Sequence, residues 1–197
     1  MRAMALSDWA RKETDWEVTV HQALESTHGL YAFGVGLYNY IQRVAPVAHH
    51  AYFNYLELAG MHRKASWILG ADRFLGTLET ARPDLIVSTH AHLNHGFFEL
   101  ARRFDAKVAC GTYCGELYGG YGFSRHWVNP VADFFLAAVQ PGTEQALKLG
   151  MPTANATTAG FLLRPEFHAV DHDLGERGRL LEGELSLKSD LPTILLA

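Results

Sequence analysis

The chain has 197 residues, enough for one ordinary domain and too few for two full ones. An apolar share of 48% supports a packed core, while a formal charge of −4 without a clustered Lys/Arg excess argues against nucleic acid as a partner. No apolar run approaches the roughly 20 residues of a spanning helix, so any membrane contact is expected to be peripheral.

The opening, MRAMALSDWARKE, lacks the long apolar core of a signal peptide and predicts a short helix over Met4–Lys12 with Trp9 as its anchor. At Trp16–His21 the alternation of Trp16, Val18 and Val20 with Glu17 and Thr19 predicts a strand. A doubly wound domain usually opens on a strand, so a helix followed by a strand suggests a start that lies further upstream.

Residues 30–60 are rich in aromatic side chains, and Arg43 and Glu57 are their only formal charges. Two helical stretches broken at Pro46 are expected there, with Gly34 and Gly36 weakening the first. This region offers either an apolar surface for lipid or an ordinary pair of core helices.

From residue 70 the pattern becomes regular. A helix over Ala71–Ala81 is followed by the break Arg82-Pro83-Asp84 and a strand at Leu85–Thr89. A helix over Asn94–Phe104 leads to a strand at Lys107–Thr112, and a Gly- and Tyr-rich loop leads to a strand at Asp133–Val139. A helix over Thr143–Leu149 closes on Gly150 in the C-cap position, and a short strand at Ala156–Ala159 precedes Gly160. Continuous apolar strands alternating with helices imply an α/β domain with a parallel sheet covered on both faces. In the tail, a charged helix over 171–185, a linker at Lys188–Pro192 and an apolar strand at Thr193–Ala197 are expected.

Chemistry concentrates in two loops. Ser88-Thr89-His90-Ala91-His92-Leu93-Asn94-His95-Gly96 follows a buried strand, where open α/β sheets place ligands. Its histidine run resembles the HxHxDH zinc run of the metallo-β-lactamase superfamily, which would make a zinc-dependent hydrolase one alternative function, a non-catalytic lipid-binding domain being the other. Asn94 stands where that run needs an aspartate, so no metal is expected; the histidines then serve either as a polar rim for a substrate or as a locally bonded helix entry. The second loop, residues 110–130, joins Gly-rich backbone to Glu116, Tyr118, Tyr121, Arg125, His126 and Trp127, a set suited to stacking on and hydrogen-bonding a polyol. For the aromatics the plainer role is core filling. Cys110 and Cys114, four apart with no second pair, are read as inert small residues in a reduced cytoplasmic setting.

Taken in order, PDLIVSTHAHLNHG, HWVNP, ADFFLAAVQPGTEQALKLGMP and GFLLRPEF resemble the amino-terminal domain of monogalactosyldiacylglycerol synthases and processive diacylglycerol glucosyltransferases. The resemblance runs from about Met4 to the end and is strongest over Pro83–Phe167. It implies the Rossmann-like acceptor half of a GT-B glycosyltransferase, spanning 1–187. The family's first strand and glycine-rich loop would lie before Met1, and residues 188–197 would enter a carboxy-terminal domain that binds the donor. The implied reaction transfers a hexosyl group from a UDP-sugar to diacylglycerol or a related membrane lipid, with no further cofactor, on the cytoplasmic side of a membrane. On this reading the expected catalytic residues are Glu116, His90 and His95; Glu116 stands where the family commonly has aspartate. His92, Asn94, Tyr118, Arg125, Trp127 and Asn129 are expected to bind the acceptor.

Overall fold

A computed structural model describes residues 2–60, 62–117, 123–165 and Gly183. Among them the elements run α1 (Arg2–Glu13), α2 (Ala23–Thr27), α3 (Gly29–Val44), α4 (His49–Ala59), α5 (Ala71–Ala81), β1 (Leu85–Ser88), α6 (Gly96–Phe104), β2 (Ala109–Cys114), β3 (Phe134–Ala137), α7 (Gln140–Lys148) and β4 (Ala156–Thr158). The four strands form one all-parallel sheet in the order β1-β2-β3-β4, the α/β Rossmann-like arrangement expected.

Sequential order in a parallel sheet with right-handed crossovers places the connections on the same side. Ile86, Cys110, Cys114, Phe135 and Ala137 face that side and pack with Phe98 and Ala101 of α6 and Ala146 of α7. The β2–β3 connection takes a helix's place in this layer, since Phe123, Trp127 and Val128 are buried in the same cluster. On the opposite face the Tyr113 hydroxyl donates to Gly160 O at 3.0 Å and accepts from Leu162 N at 2.8 Å. Trp9 then fastens α1 to this segment, its Nε1 donating to Leu163 O. A second, smaller core of Leu24, Ala65, Ile68, Phe97 and Leu100 joins α2 and α6 to the 65–67 turn.

Three sequence expectations are corrected. Trp16–His21 is not a strand: it pairs with no sheet, Trp16 is 62% exposed, and Arg11 takes Val18 O at 2.7 Å. Its alternating pattern buries nothing, so no tertiary partner turns propensity into a ladder. The second helix of the regular region begins at Gly96 rather than Asn94, because residues 91–93 form a 3₁₀ turn capped by His90. The strand expected over Lys107–Thr112 slides to Ala109–Cys114, in register with Leu85–Ser88 and continuing beside Phe134–Ala137. Elsewhere the reading stands within a few residues. α7 starts earlier than expected, with Pro141 in its first turn, and Gly150 adopts φ 97° just past its end. The tail expectations over 171–197 lie outside the described residues.

The region over 30–60 is the two helices expected, but not core helices. No residue of α3 is buried, and the described side chains of α4 are half-buried or exposed. Leu30, Phe33, Tyr40 and Val44 lie open along one 3–4 spaced stripe of α3, and Val47, Tyr55 and Leu58 continue the open apolar surface through the turn and α4. The pair closes where Tyr52 Oη donates to Gly34 O at 3.3 Å. No helix among the described residues is long and apolar enough to cross a membrane.

Candidate functional site

The carboxyl ends of the strands carry the side chains. After β1 the chain turns at His90, whose Nδ1 accepts the His92 N–H at 3.3 Å and so caps the 3₁₀ turn. Asn94 then points inward, wholly buried: its Nδ2 donates to the carbonyls of His126 and Trp127, and its own carbonyl accepts from Asn129 Nδ2 at 2.6 Å. These bonds join the β1–α6 turn to the β2–β3 connection.

Two further histidines complete a cluster: His126, read from the sequence only as part of the polyol-suited loop, and His62, which the sequence did not single out. His62 is brought in because Gly96 N donates to His62 O at 2.9 Å, at a contact so close that a Cβ on Gly96 would lie 2.8 Å from that oxygen. His126 sits in a 3₁₀ turn capped by Ser124 and is fully buried. His62 stacks on His92 with ring centres 4.3 Å apart and meets His126 edge-on at 4.3 Å, while His90 meets His92 at 5.4 Å. The only sequence signal for His62 was its polarity beside an apolar helix end, which no spacing rule links to residues 90–95.

Burial first, and then the neighbouring rings, hold His62 down to about 2 and His92 to about 3. His95 is lowered to about 4 by burial and by Arg63. His90 and His126 are lowered by the same desolvation, opposed by Glu25 at His90 and by Glu57 at His126. The cluster is therefore uncharged at neutral pH. Among the described residues, no three His, Cys, Asp or Glu side chains are placed to hold one metal ion.

Glu57, at the end of α4, was also missed. Its carboxylate accepts from the Ser124 hydroxyl and from Arg125 N at 3.3 Å. Arg125, expected to face an acceptor, instead reaches back to Glu57 O at 2.5 Å.

Scanned against models of known families and against curated proteins, the chain matches none.

Of the expected catalytic residues, Glu116 and His90 share a neighbourhood and His95 does not. Arg2 lies 3.8 Å from the Glu116 carboxylate, donates to Gly115 O at 3.0 Å, and acts electrostatically on His90. His95 meets the His126 ring edge-on at 6.2 Å and lines a cavity of about 260 Å³ with Phe98, Arg102 and Asn129. Among the expected acceptor-binding residues, His92 is half-buried inside the ring cluster. Asn94, Trp127 and Asn129 are buried and bonded to one another's backbone, so they hold the loop and offer an acceptor no surface. Trp127 takes the core role. Tyr118 lies outside the described residues. Cys110 and Cys114 are buried, and burial pushes their thiols up to about 11 and about 12, as suits packing rather than chemistry.

Proposed function

We propose that this chain is the acceptor-side domain of a glycosyltransferase that moves a hexosyl group from a UDP-sugar to diacylglycerol or a related membrane lipid. The observation that carries this reading is the joint placement of two features. Glu116, His90 and Arg2 share the carboxyl rim of a parallel sheet, and the domain also bears an open, nearly uncharged helical hairpin, α3–α4. The rim is where open α/β sheets bind ligands. The hairpin offers the apolar surface that peripheral attachment to a bilayer requires.

On this reading the groups on the rim take distinct roles, which the hydrogen-bond pattern supports. His90 Nδ1 is occupied as an acceptor, so its neutral ring carries the proton on Nε2 and faces the rim as a donor. Glu116 is then the group able to take the acceptor hydroxyl's proton while that oxygen bonds to the anomeric carbon and UDP leaves with the electrons of the broken bond. Arg2, 3.8 Å away, would help position the Glu116 carboxylate.

The protein expressed from its whole reading frame tests this. Radiolabel from UDP-glucose or UDP-galactose should pass to diacylglycerol in vesicles, and Glu116→Gln should cut the rate by about 100-fold or more with folding unchanged. No transfer to any vesicle lipid, or a fully active Glu116→Gln, rejects the reading.

A further inference from the structure

Four imidazoles form a continuous ladder from the open rim to the base of the aromatic hairpin. His90 is exposed; His92, His62 and His126 follow at ring separations of 5.4, 4.3 and 4.3 Å. The last rung touches α4, because His126 Nε2 lies 3.2 Å from Glu57 O. His95 flanks that rung at 6.2 Å. Nε2 of His62, Nε2 of His95 and Nδ1 of His126 are buried without a hydrogen-bond partner. A protonated imidazole has two N–H donors to satisfy, and these buried nitrogens have no acceptor waiting.

The charged groups facing the ladder do not compensate. They are Glu57 from α4, Arg63 from the turn after α4, Arg125 from the β2–β3 connection, Glu25 from α2 and Arg2 from α1. Guanidinium groups outnumber carboxylates, and Glu57 is already held by Ser124 and Arg125. Meanwhile the main core, built from α5, α6, α7, the sheet and the β2–β3 connection, takes no described residue from α3 or α4. α3 keeps its own anchor, Tyr31 Oη accepting Leu69 N at 3.0 Å.

We propose that the imidazole ladder is an acid-operated latch: with neutral rings it holds the end of α4 and the turn at 62–64 on the sheet domain, and protonation releases α4 while the sheet stays folded. The sign follows from the rings' environments. A released ring titrates near about 6.5, whereas in the latched state His92 is held to about 3 and His62 to about 2. Above the released value both forms are neutral and the latch has full strength. Below it the released form binds more protons, and each ring shifts the balance toward release by about tenfold per pH unit. The device does not depend on the glycosyltransferase reading.

Hydrogen exchange followed by mass spectrometry, corrected for intrinsic rates, tests it at about pH 7.5 and about pH 5, either side of an ordinary imidazole's titration. Peptides covering 49–59 should lose protection by about tenfold or more at the acid condition, while peptides covering 109–114 and 134–137 keep theirs. The double variant His62→Gln/His92→Gln, which keeps polar side chains but cannot titrate, should hold α4 at acid pH. Unchanged protection of α4 in the wild type overturns the latch, and so does loss of sheet and α4 protection in one transition. These two outcomes decide the matter even if the variant fails to fold. A folded double variant that releases α4 at the wild-type pH also overturns it.

Discussion

Glu57 and His126, 69 positions apart, meet where α4 ends: the His126 ring nitrogen lies 3.2 Å from the Glu57 carbonyl, and the Glu57 carboxylate takes the Ser124 hydroxyl two residues before that histidine. One half-buried acid thus joins the aromatic hairpin to the connection that closes the core. Hydrogen bonds to charged groups contribute about 1.5–3 kcal/mol each. Glu57→Ala should therefore lower unfolding stability by about 2–4 kcal/mol, read by urea denaturation. A change under about 0.5 kcal/mol would show the joint to be idle.

Asn94→Asp separates the metal reading of the histidine run from the structural one. It restores the aspartate that a zinc run requires, yet the side chain it replaces donates to two buried carbonyls. A carboxylate there would face those oxygens without a donor, so the variant should lose about 3–5 kcal/mol of stability and gain no zinc. Metal analysis finding about one zinc per folded chain would mean that the run reorganises into a metal site.

The hairpin should bind vesicles through its open stripe. Phe33 and Tyr40 are 66% and 62% exposed, so replacing them by Ser removes apolar contact with lipid without opening a core. Each apolar side chain buried is worth about 1.5–3 kcal/mol. Phe33→Ser/Tyr40→Ser should weaken sedimentation with anionic liposomes by about 100-fold or more while the thermal midpoint stays near wild type. High salt should matter little, because the stripe carries no charge. If the wild type stays in the supernatant, the hairpin's partner is not a bilayer. A wild type that dimerises while the double variant is monomeric would place a second copy there.

Gly111 is required by its neighbour in the sheet. A Cβ on it would lie 2.1–2.4 Å from the Phe134 ring, which closes over the glycine from the adjacent strand. Gly111→Ala should cost about 1–3 kcal/mol, and Gly111→Ala/Phe134→Leu should recover part of that loss. An unchanged melting curve for Gly111→Ala would show that the ring moves aside freely.

The sequence by itself determined the regular half of the fold. Apolar runs such as Leu85–Ser88 and Phe134–Ala137, set between amphipathic helices and broken at Arg82-Pro83 and Gly150, leave a parallel sheet as the arrangement that buries both. Helix breaking at Pro46 was legible for the same reason: the constraint is local and covalent. Tertiary structure decided everything that depended on partners distant in the chain. Trp16–His21 alternates like a strand but found no ladder, and Asn94, which read as a ligand, and Trp127, which read as either ligand or core, are internal braces. The ring cluster was the least legible part. His62, His92 and His126 come from three separate segments, which the Gly96–His62 contact and the Asn94 bonds help bring together. Local patterns report local geometry, whereas the burial that neutralises those imidazoles belongs to the folded chain as a whole.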